Sequence, residues 1–201
     1  MSLQRRPHLT PEEYLAIERE AEYKSEYFAG EIFAMAGASE RHVSIVANTM
    51  YLLVGQLKGR SCKAYANDMR LKVNPTGLYT YPDIIVVCGD LFFADEHKDT
   101  LLNPMVLIEV LSESTEAYDR GKKFAHYRTL ASLSDYLLIA QDQVRIEHFV
   151  RQPDDRWLFS ASDGLDDAVE IASIACELPL ADVYDKVEMS GDEHEGLCRK
   201  Y

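Results

Sequence analysis

Residues 106–111 of the chain, Val-Leu-Ile-Glu-Val-Leu, form an apolar run of strand length that contains one carboxylate, Glu109. A similar run lies upstream, where Asp83 directly precedes the apolar residues 84–87, Ile-Ile-Val-Val. Short unbroken apolar runs are typical of strands that are buried on both faces of a sheet. We therefore expect both segments at the centre of the fold, with Asp83 and Glu109 as acids that an apolar sheet does not explain.

Local signals on either side of these runs predict the remaining elements. Capping residues, a flexible glycine and apolar residues at three- and four-residue steps predict the N-terminal part. Its elements are a helix from Thr10 to about Arg19, a hairpin of strands 23–28 and 31–35 turned by Ala29-Gly30, and a helix from Ser39 to about Gly59. The later elements are strands at 62–65, 69–73, 83–88, 106–111, 136–140, 144–150 and 157–162, and a helix at 119–130.

This order predicts a mixed α/β (α+β) fold, a mixed central sheet flanked by helices with an N-terminal helix and hairpin. The chain has 201 residues, of which 47% are apolar, which suits one globular domain. We assign residues 1–189 to that domain and expect a flexible C-terminal tail at 190–201, where periodicity is lacking.

The sequence also indicates where in the cell the protein is found and whether its cysteines are free thiols. No uncharged apolar run is long enough to span a bilayer, and the N-terminus lacks the apolar segment of a secretory signal, so we expect a cytoplasmic protein without membrane contact. The four cysteines show no paired Cys-x-x-Cys spacing, and we expect free thiols.

The net charge of −13 argues against a protein that coats nucleic acid non-specifically. A local excess of cations between Lys58 and Lys72 is compatible either with a solvated surface or with a groove that faces phosphates.

Asp83 and Glu109 would lie level with each other if their strands were antiparallel neighbours. Two buried carboxylates repel each other, and a divalent cation with oxygen ligands, Mg²⁺ or Mn²⁺, would offset that repulsion. The structural alternative is that Glu109 pairs with a Lys or Arg and that Asp83 ends a turn after Pro82.

The predicted helix at 119–130 supplies a candidate cation. Asp119, Lys123 and Tyr127 share one helix face, since they are spaced at i, i+4 and i+8. Lys123 could stabilise charge on a phosphate oxygen. It could equally form an ordinary ion pair with Asp119, and Lys122 competes for either function.

Several of these motifs in order resemble the Uma-type family of putative restriction endonucleases, a branch of the PD-(D/E)XK nuclease superfamily. The similarity covers about Thr10 to Tyr184. It rests on Glu26-x-x-x-Gly30-Glu31, Met35, His42, Tyr81-Pro82-Asp83, Ile108-Glu109-Val110-Leu111-Ser112 with Ser114, and Asp119-x-x-x-Lys123-x-x-x-Tyr127.

The resemblance implies a restriction-endonuclease-like core in which Asp83, Glu109 and the Val110 carbonyl bind the catalytic metal. The superfamily's usual lysine lies two residues after the glutamate, but that position is Leu111 here. Lys123 matches the migrated lysine of the Uma-type pattern and would replace it from the helix.

Four further residues are candidates for accessory functions. Glu26 matches the acid that such nucleases contribute from an N-terminal element, although an exposed strand carboxylate is an equal alternative. His42 could approach a phosphate or metal, or could be a capping or packing residue. Asp68 could be a salt-bridge centre or belong to the site, and Asp119 and Tyr127 share the face of Lys123.

These observations favour a metal-dependent endonuclease that hydrolyses phosphodiester bonds in DNA with a metal-activated water. The catalytic residues would be Asp83, Glu109, Lys123 and Glu26, and cutting both strands of a duplex would suit a homodimer. The alternative is a catalytically inactive nuclease fold that acts as a binding or assembly module. The net charge of −13 and the absence of a lysine at position 111 favour this alternative.

Overall fold

A computed structural model describes residues 8–189. The helices are α1 (Pro11–Glu20), α2 (Glu40–Leu57), α3 (Glu116–Tyr118), α4 (Phe124–Tyr127) and α5 (Leu180–Val183), with a π-helical turn at Asp119–Lys123 and a 3-10 turn at Ala172–Ile174. The strands are β1 (Ser25–Phe28), β2 (Glu31–Ala34), β3 (Cys62–Ala66), β4 (Arg70–Val73), β5 (Leu78–Thr80), β6 (Ile84–Cys88), β7 (Thr100–Leu101), β8 (Val106–Val110), β9 (Asp135–Ile139), β10 (Ile146–Arg151), β11 (Trp157–Ser162), β12 (Ala168–Ile171) and β13 (Cys176–Pro179).

The two long helices begin at the predicted caps. Thr10 and Glu13 form the capping box of α1, in which each residue's side chain accepts a hydrogen bond from the other's backbone N–H. Ser39 caps α2 by accepting a hydrogen bond from the backbone N–H of His42 at 3.1 Å. The cap of α2 matters for the site because it fixes the first turn, which carries His42.

The strands of residues 8–189 form three sheets. The main sheet has the order β11-β10-β9-β8-β6-β3, a second has the order β2-β1-β5-β4-β7, and β12 pairs with β13. The predicted mixed α/β fold with helices flanking a mixed sheet is confirmed. The strand pattern did not separate the second sheet from the first, because burial patterns show which residues face a core but not which strands are paired.

The main sheet is covered on both faces, which explains its unbroken apolar strands. Ile84 and Ile108 pack in the core beneath α2, and Ile85 and Leu107 pack in the opposite core. All four side chains are fully buried. Side chains that alternate along a strand face opposite sides, so Glu109 belongs to the face of Leu107, whereas Asp83 lies just before β6 and contacts His42 of α2.

A helical connection joins the parallel strands β8 and β9, as a crossover between parallel strands requires. The sequence predicts one helix over 119–130, but α-helical geometry is interrupted by the π-helical turn and ends at Tyr127. π-Helical turns are rare in proteins, and many of those that occur lie at functional sites. This turn carries both Asp119 and Lys123.

The expectation of free thiols is wrong for one pair: Cys62 and Cys88 form a disulfide. They stand directly opposite each other in the antiparallel ladder of β3 and β6, a proximity that their spacing along the chain does not reveal. Cys176 is a free, buried thiol.

The predicted C-terminal tail at 190–201 lies outside the described residues. Within 8–189, none of the helices has the length and apolar character needed to cross a membrane.

Candidate active site

The antiparallel pairing of β6 and β8 brings the two anomalous acids together. Ile84 stands opposite Ile108 in this ladder, and one step further along the two strands stand Asp83 and Glu109. The antiparallel neighbouring strands that the sequence left as a condition are therefore present, and the Asp83 carboxylate is near enough to help raise the pKa of Glu109.

Both oxygens of Asp83 have a hydrogen-bond partner. Oδ2 accepts from the backbone N–H of Val110 at 2.7 Å, and Oδ1 lies 3.0 Å from Nε2 of His42. A residue's N–H and C=O point to the same neighbouring strand in an antiparallel ladder. The Val110 carbonyl, the predicted third metal ligand, accordingly belongs to the Asp83 side of β8.

Glu109 is 3% exposed and has two partners on one oxygen. Tyr127 donates its hydroxyl to Oε1 at 2.7 Å, and Nζ of Lys123 lies 3.0 Å from the same atom. Burial, helped by the carboxylates of Asp119 and Asp83, raises the pKa of Glu109 to about 8, although Lys123 and Tyr127 oppose this shift. A cation near Glu109 would favour its charged form.

Lys123 is the centre of the acidic cluster. Its Nζ lies 3.0 Å from Glu109, 3.3 Å from Asp119 and 3.5 Å from Glu26. Burial disfavours the ammonium, but the carboxylates outweigh that effect and raise the pKa of Lys123 well above its ordinary value. Lys123 is therefore a charged group held among three acids from three different elements.

Tyr127 and Asp119 flank Lys123 on the same helical face, as their spacing predicts. Burial and the Glu109 carboxylate raise the pKa of Tyr127 well above its ordinary value, so its hydroxyl stays protonated and donates. Asp119 is 3% exposed, and burial raises its pKa. Its Oδ1 makes an ion-pair contact with Lys123 but has no hydrogen bond within the described chain.

Glu26 reaches the site from the second sheet. The Thr80 hydroxyl donates to Oε1 of Glu26, and the Tyr118 hydroxyl donates to Oε2 at 3.0 Å. Glu26 is 8% exposed, so the alternative of an exposed strand carboxylate is wrong. β1 positions Glu26 through its pairing with β5, which carries Thr80.

Two other candidates are separated from this cluster. Asp68 forms a surface ion pair with Lys24 at 2.9 Å, and its side chain is 89% exposed. Lys122 is exposed, in contrast to the buried Lys123. Between the two neighbouring lysines, it is thus Lys123 that enters the acidic cluster.

Two residues of the site, Tyr118 and Thr80, were not among the predicted site residues. Besides its hydrogen bond to Glu26, Tyr118 places its ring 6.0 Å from the ammonium of Lys123. Neither residue has a charge or motif that marks it, and each joins the cluster only through the packing of the second sheet and the crossover against the main sheet.

The donor set fits a hard divalent cation. Within residues 8–189 no three His, Cys, Asp or Glu side chains are grouped as a preformed metal cage. Mg²⁺, however, is usually held by one or two carboxylates and keeps several waters. Asp83 and Glu109 can supply those carboxylates, beside an ammonium, Lys123, that contacts Glu26, Glu109 and Asp119.

Comparisons with known proteins agree with this architecture. A sequence profile described as Uma2, putative restriction endonuclease, matches residues 11–181. Two uncharacterized proteins of Synechocystis are each 37% identical to the chain: sll1609 over 164 residues, 82% of this chain and 93% of the relative, and slr1290 over 183 residues, 89% and 92%.

A solved structure shares the fold. It is that of a putative nuclease belonging to DUF820 from Anabaena variabilis, with a TM-score of 0.72 and 22% sequence identity. The match covers 88% of this chain and 97% of that chain.

Proposed function

Because the chain belongs to the Uma2 putative restriction endonuclease family, we propose that its acidic cluster hydrolyses phosphodiester bonds in DNA with the help of a bound Mg²⁺ or Mn²⁺. The catalytic residues are Asp83, Glu109 and Lys123, and Glu26 assists them as a positioning residue that orients Lys123.

The observation that carries this proposal is the imbalance of charge around Lys123. One ammonium contacts the carboxylates of Glu26, Glu109 and Asp119, and Asp83 stands beside Glu109 on the neighbouring strand. Burial and the neighbouring carboxylates raise the pKa of Glu109 to about 8, and burial raises that of Asp119, so ionising these acids costs free energy that a bound divalent cation would offset. Buried charge without a partner costs several kcal/mol, so an excess of acids fits a site that takes up a cation.

Asp83, Glu109 and the Val110 carbonyl would hold the metal ion. The bound ion supplies Lewis-acid polarisation of the phosphate and a water of lowered pKa. Two members of this set lie together, since the Val110 N–H donates to Oδ2 of Asp83.

Lys123 acts on the substrate. Its pKa lies well above the ordinary value, so the ammonium carries a charge that would stabilise the negative charge developing on a phosphate oxygen during displacement. Leu111, at the superfamily's usual lysine position, cannot do this. Glu26 orients Lys123 from the second sheet, and Thr80 and Tyr118 fix Glu26 in turn.

Cleavage assays with isosteric variants test the proposal. Plasmid, linear and single-stranded DNA and RNA are incubated with the protein and Mg²⁺, Mn²⁺ or a chelator. We expect metal-dependent cutting of DNA that is lost in Asp83→Asn and Glu109→Gln. Asp135→Asn is the matched control, because Asp135 is also a buried acid of the main sheet. It lies at the start of the parallel pair β8–β9, whereas Glu109 lies near the end.

Two results would contradict the proposal. Cutting that persists in both site variants would exclude this cluster as the active site. A folded protein that binds Mn²⁺ and DNA but cuts none of these substrates would favour the binding-module alternative.

We also propose a homodimer and a cytoplasmic location. Light scattering measures the dimer, and fractionation of cells that express the chain measures the location. A monomer that still makes double-strand breaks would contradict the need for a dimer.

A further inference from the structure

Asp83 is contacted by a histidine from an element far along the chain. Nε2 of His42 lies 3.0 Å from Oδ1 of Asp83, while the Val110 N–H donates to Oδ2 at 2.7 Å. The side chains of His42 and Asp83 are each 14% exposed. Each oxygen of this carboxylate therefore has its own donor, one from the backbone of β8 and one from the side chain of His42.

The strand itself does not fix the Asp83 side chain. Asp83 precedes β6, whose last pair with β8 is Ile84 opposite Ile108. A carboxylate at such a position can occupy several rotamers. The two donors select one of them, in which Asp83 satisfies the Val110 N–H beyond the end of the ladder.

The helix α2 gives His42 a fixed position. His42 lies in the first turn, where its backbone N–H is bound by the Ser39 cap. Ile45 and Leu53 of the same helix are fully buried in the core against the main sheet. A donor on a packed, capped helix is a rigid reference against which a neighbouring carboxylate can be oriented.

We infer that His42 is a positioning residue that holds Asp83 in its metal-binding orientation. The inference rests on the proposed metal site and adds a residue to it. Both the neutral ring with a proton on Nε2 and the imidazolium donate to a carboxylate, so His42 performs this function in either form. It acts through Asp83 and not on the substrate.

Three variants test the inference in the full-length protein. His42→Ala removes the donor, His42→Phe removes it but keeps a ring, and His42→Gln retains a side-chain N–H donor. His148→Gln is the matched control, because Nε2 of His148 lies 2.7 Å from Oδ1 of Asp135 in a His–Asp pair at the other end of the sheet.

Two readouts are measured: the dissociation constant for Mn²⁺ by calorimetry and the hydrogen exchange rate of the Val110 amide by NMR. We expect His42→Ala and His42→Phe to weaken Mn²⁺ binding about 10- to 100-fold, the range for residues that orient metal ligands. The Val110 amide should exchange faster in both. His42→Gln should restore most of the affinity, and His148→Gln should bind Mn²⁺ like the wild type.

Each outcome decides between separate claims. Wild-type Mn²⁺ affinity and unchanged Val110 exchange in His42→Phe would overturn the inference while the metal site stood. If the wild type bound no Mn²⁺, the proposed function would fail, and Val110 exchange would still decide whether His42 orients Asp83. If His42→Ala did not fold, the comparison of His42→Phe with His42→Gln would decide.

Discussion

The ammonium of Lys123 lies 3.0 Å from Oε1 of Glu109, the same oxygen that accepts the Tyr127 hydroxyl. The two residues come from different elements, the helical crossover and the strand β8. The helical crossover therefore places a cationic side chain against the glutamate of β8. These contacts explain how a lysine can be buried here, since a buried charge requires charged or hydrogen-bonding partners.

Removal of this ammonium should impair the chemical step. For Lys123→Met we expect kcat to fall about 10²- to 10³-fold, as for the loss of one group that stabilises transition-state charge. Lys122→Met is the control, because Lys122 is exposed and its replacement leaves the acidic cluster intact. Cleavage rates at saturating DNA measure both. Equal losses in the two variants, or unimpaired cutting by Lys123→Met, would contradict the assignment.

The sequence predicted the charged part of this site well. Asp83 and Glu109 stand out as acids in apolar runs, and Lys123 and Tyr127 stand out by helical spacing, because these signals are local. The resemblance alone singled out Glu26. Thr80 and Tyr118 could not be predicted, since the three-residue strand β5 shows little periodicity and no local pattern marks the π-helical turn that follows Tyr118.

Metal binding should stabilise the folded protein. A ligand that binds the folded state alone adds about 2.7 kcal/mol to the free energy of unfolding at a concentration of 100 times its dissociation constant. We expect Mn²⁺ to raise Tm in the wild type and to leave Tm unchanged in Glu109→Gln. Differential scanning calorimetry with and without Mn²⁺ measures both, and an equal rise in the two proteins would contradict the site.

A separate ion-pair network should make stability depend on pH. Arg19 contacts Asp99 at 2.8 Å and Asp95 at 2.7 Å, and the hydrogen bond from Arg19 lowers the pKa of Asp99 to about 2. A folded-state pKa below the unfolded value of about 3.9 means that the ionised pair stabilises the fold above about pH 4, and that this contribution is lost as the pH falls towards about 2.

We therefore expect the wild type to exceed Asp99→Asn in unfolding free energy at pH 5, by an amount that shrinks as the pH falls below about 4. Urea unfolding at several pH values measures the difference. Asp155→Asn is the control, because that carboxylate is 86% exposed in its pair with Arg151. If the difference in unfolding free energy between the wild type and Asp99→Asn stayed constant with pH, the Arg19–Asp99 pair would not be the source of the pH dependence.

The disulfide predicts how many thiols can be labelled. The chain has four cysteines, and Cys62 and Cys88 are bonded. In the air-oxidised protein, denatured without reductant, Cys62 and Cys88 should not react with a thiol reagent, and both should react after reduction. Four reactive thiols before reduction would contradict the bond.

The most direct test of the proposed active site is a crystal structure of the wild type soaked in Mn²⁺, with anomalous diffraction recorded at the manganese edge. The account predicts an ion within about 2.6 Å of carboxylate oxygens from both Asp83 and Glu109. It also predicts that Lys123 remains beside them. An ion bound elsewhere, with these two carboxylates unchanged at saturating Mn²⁺, would contradict it.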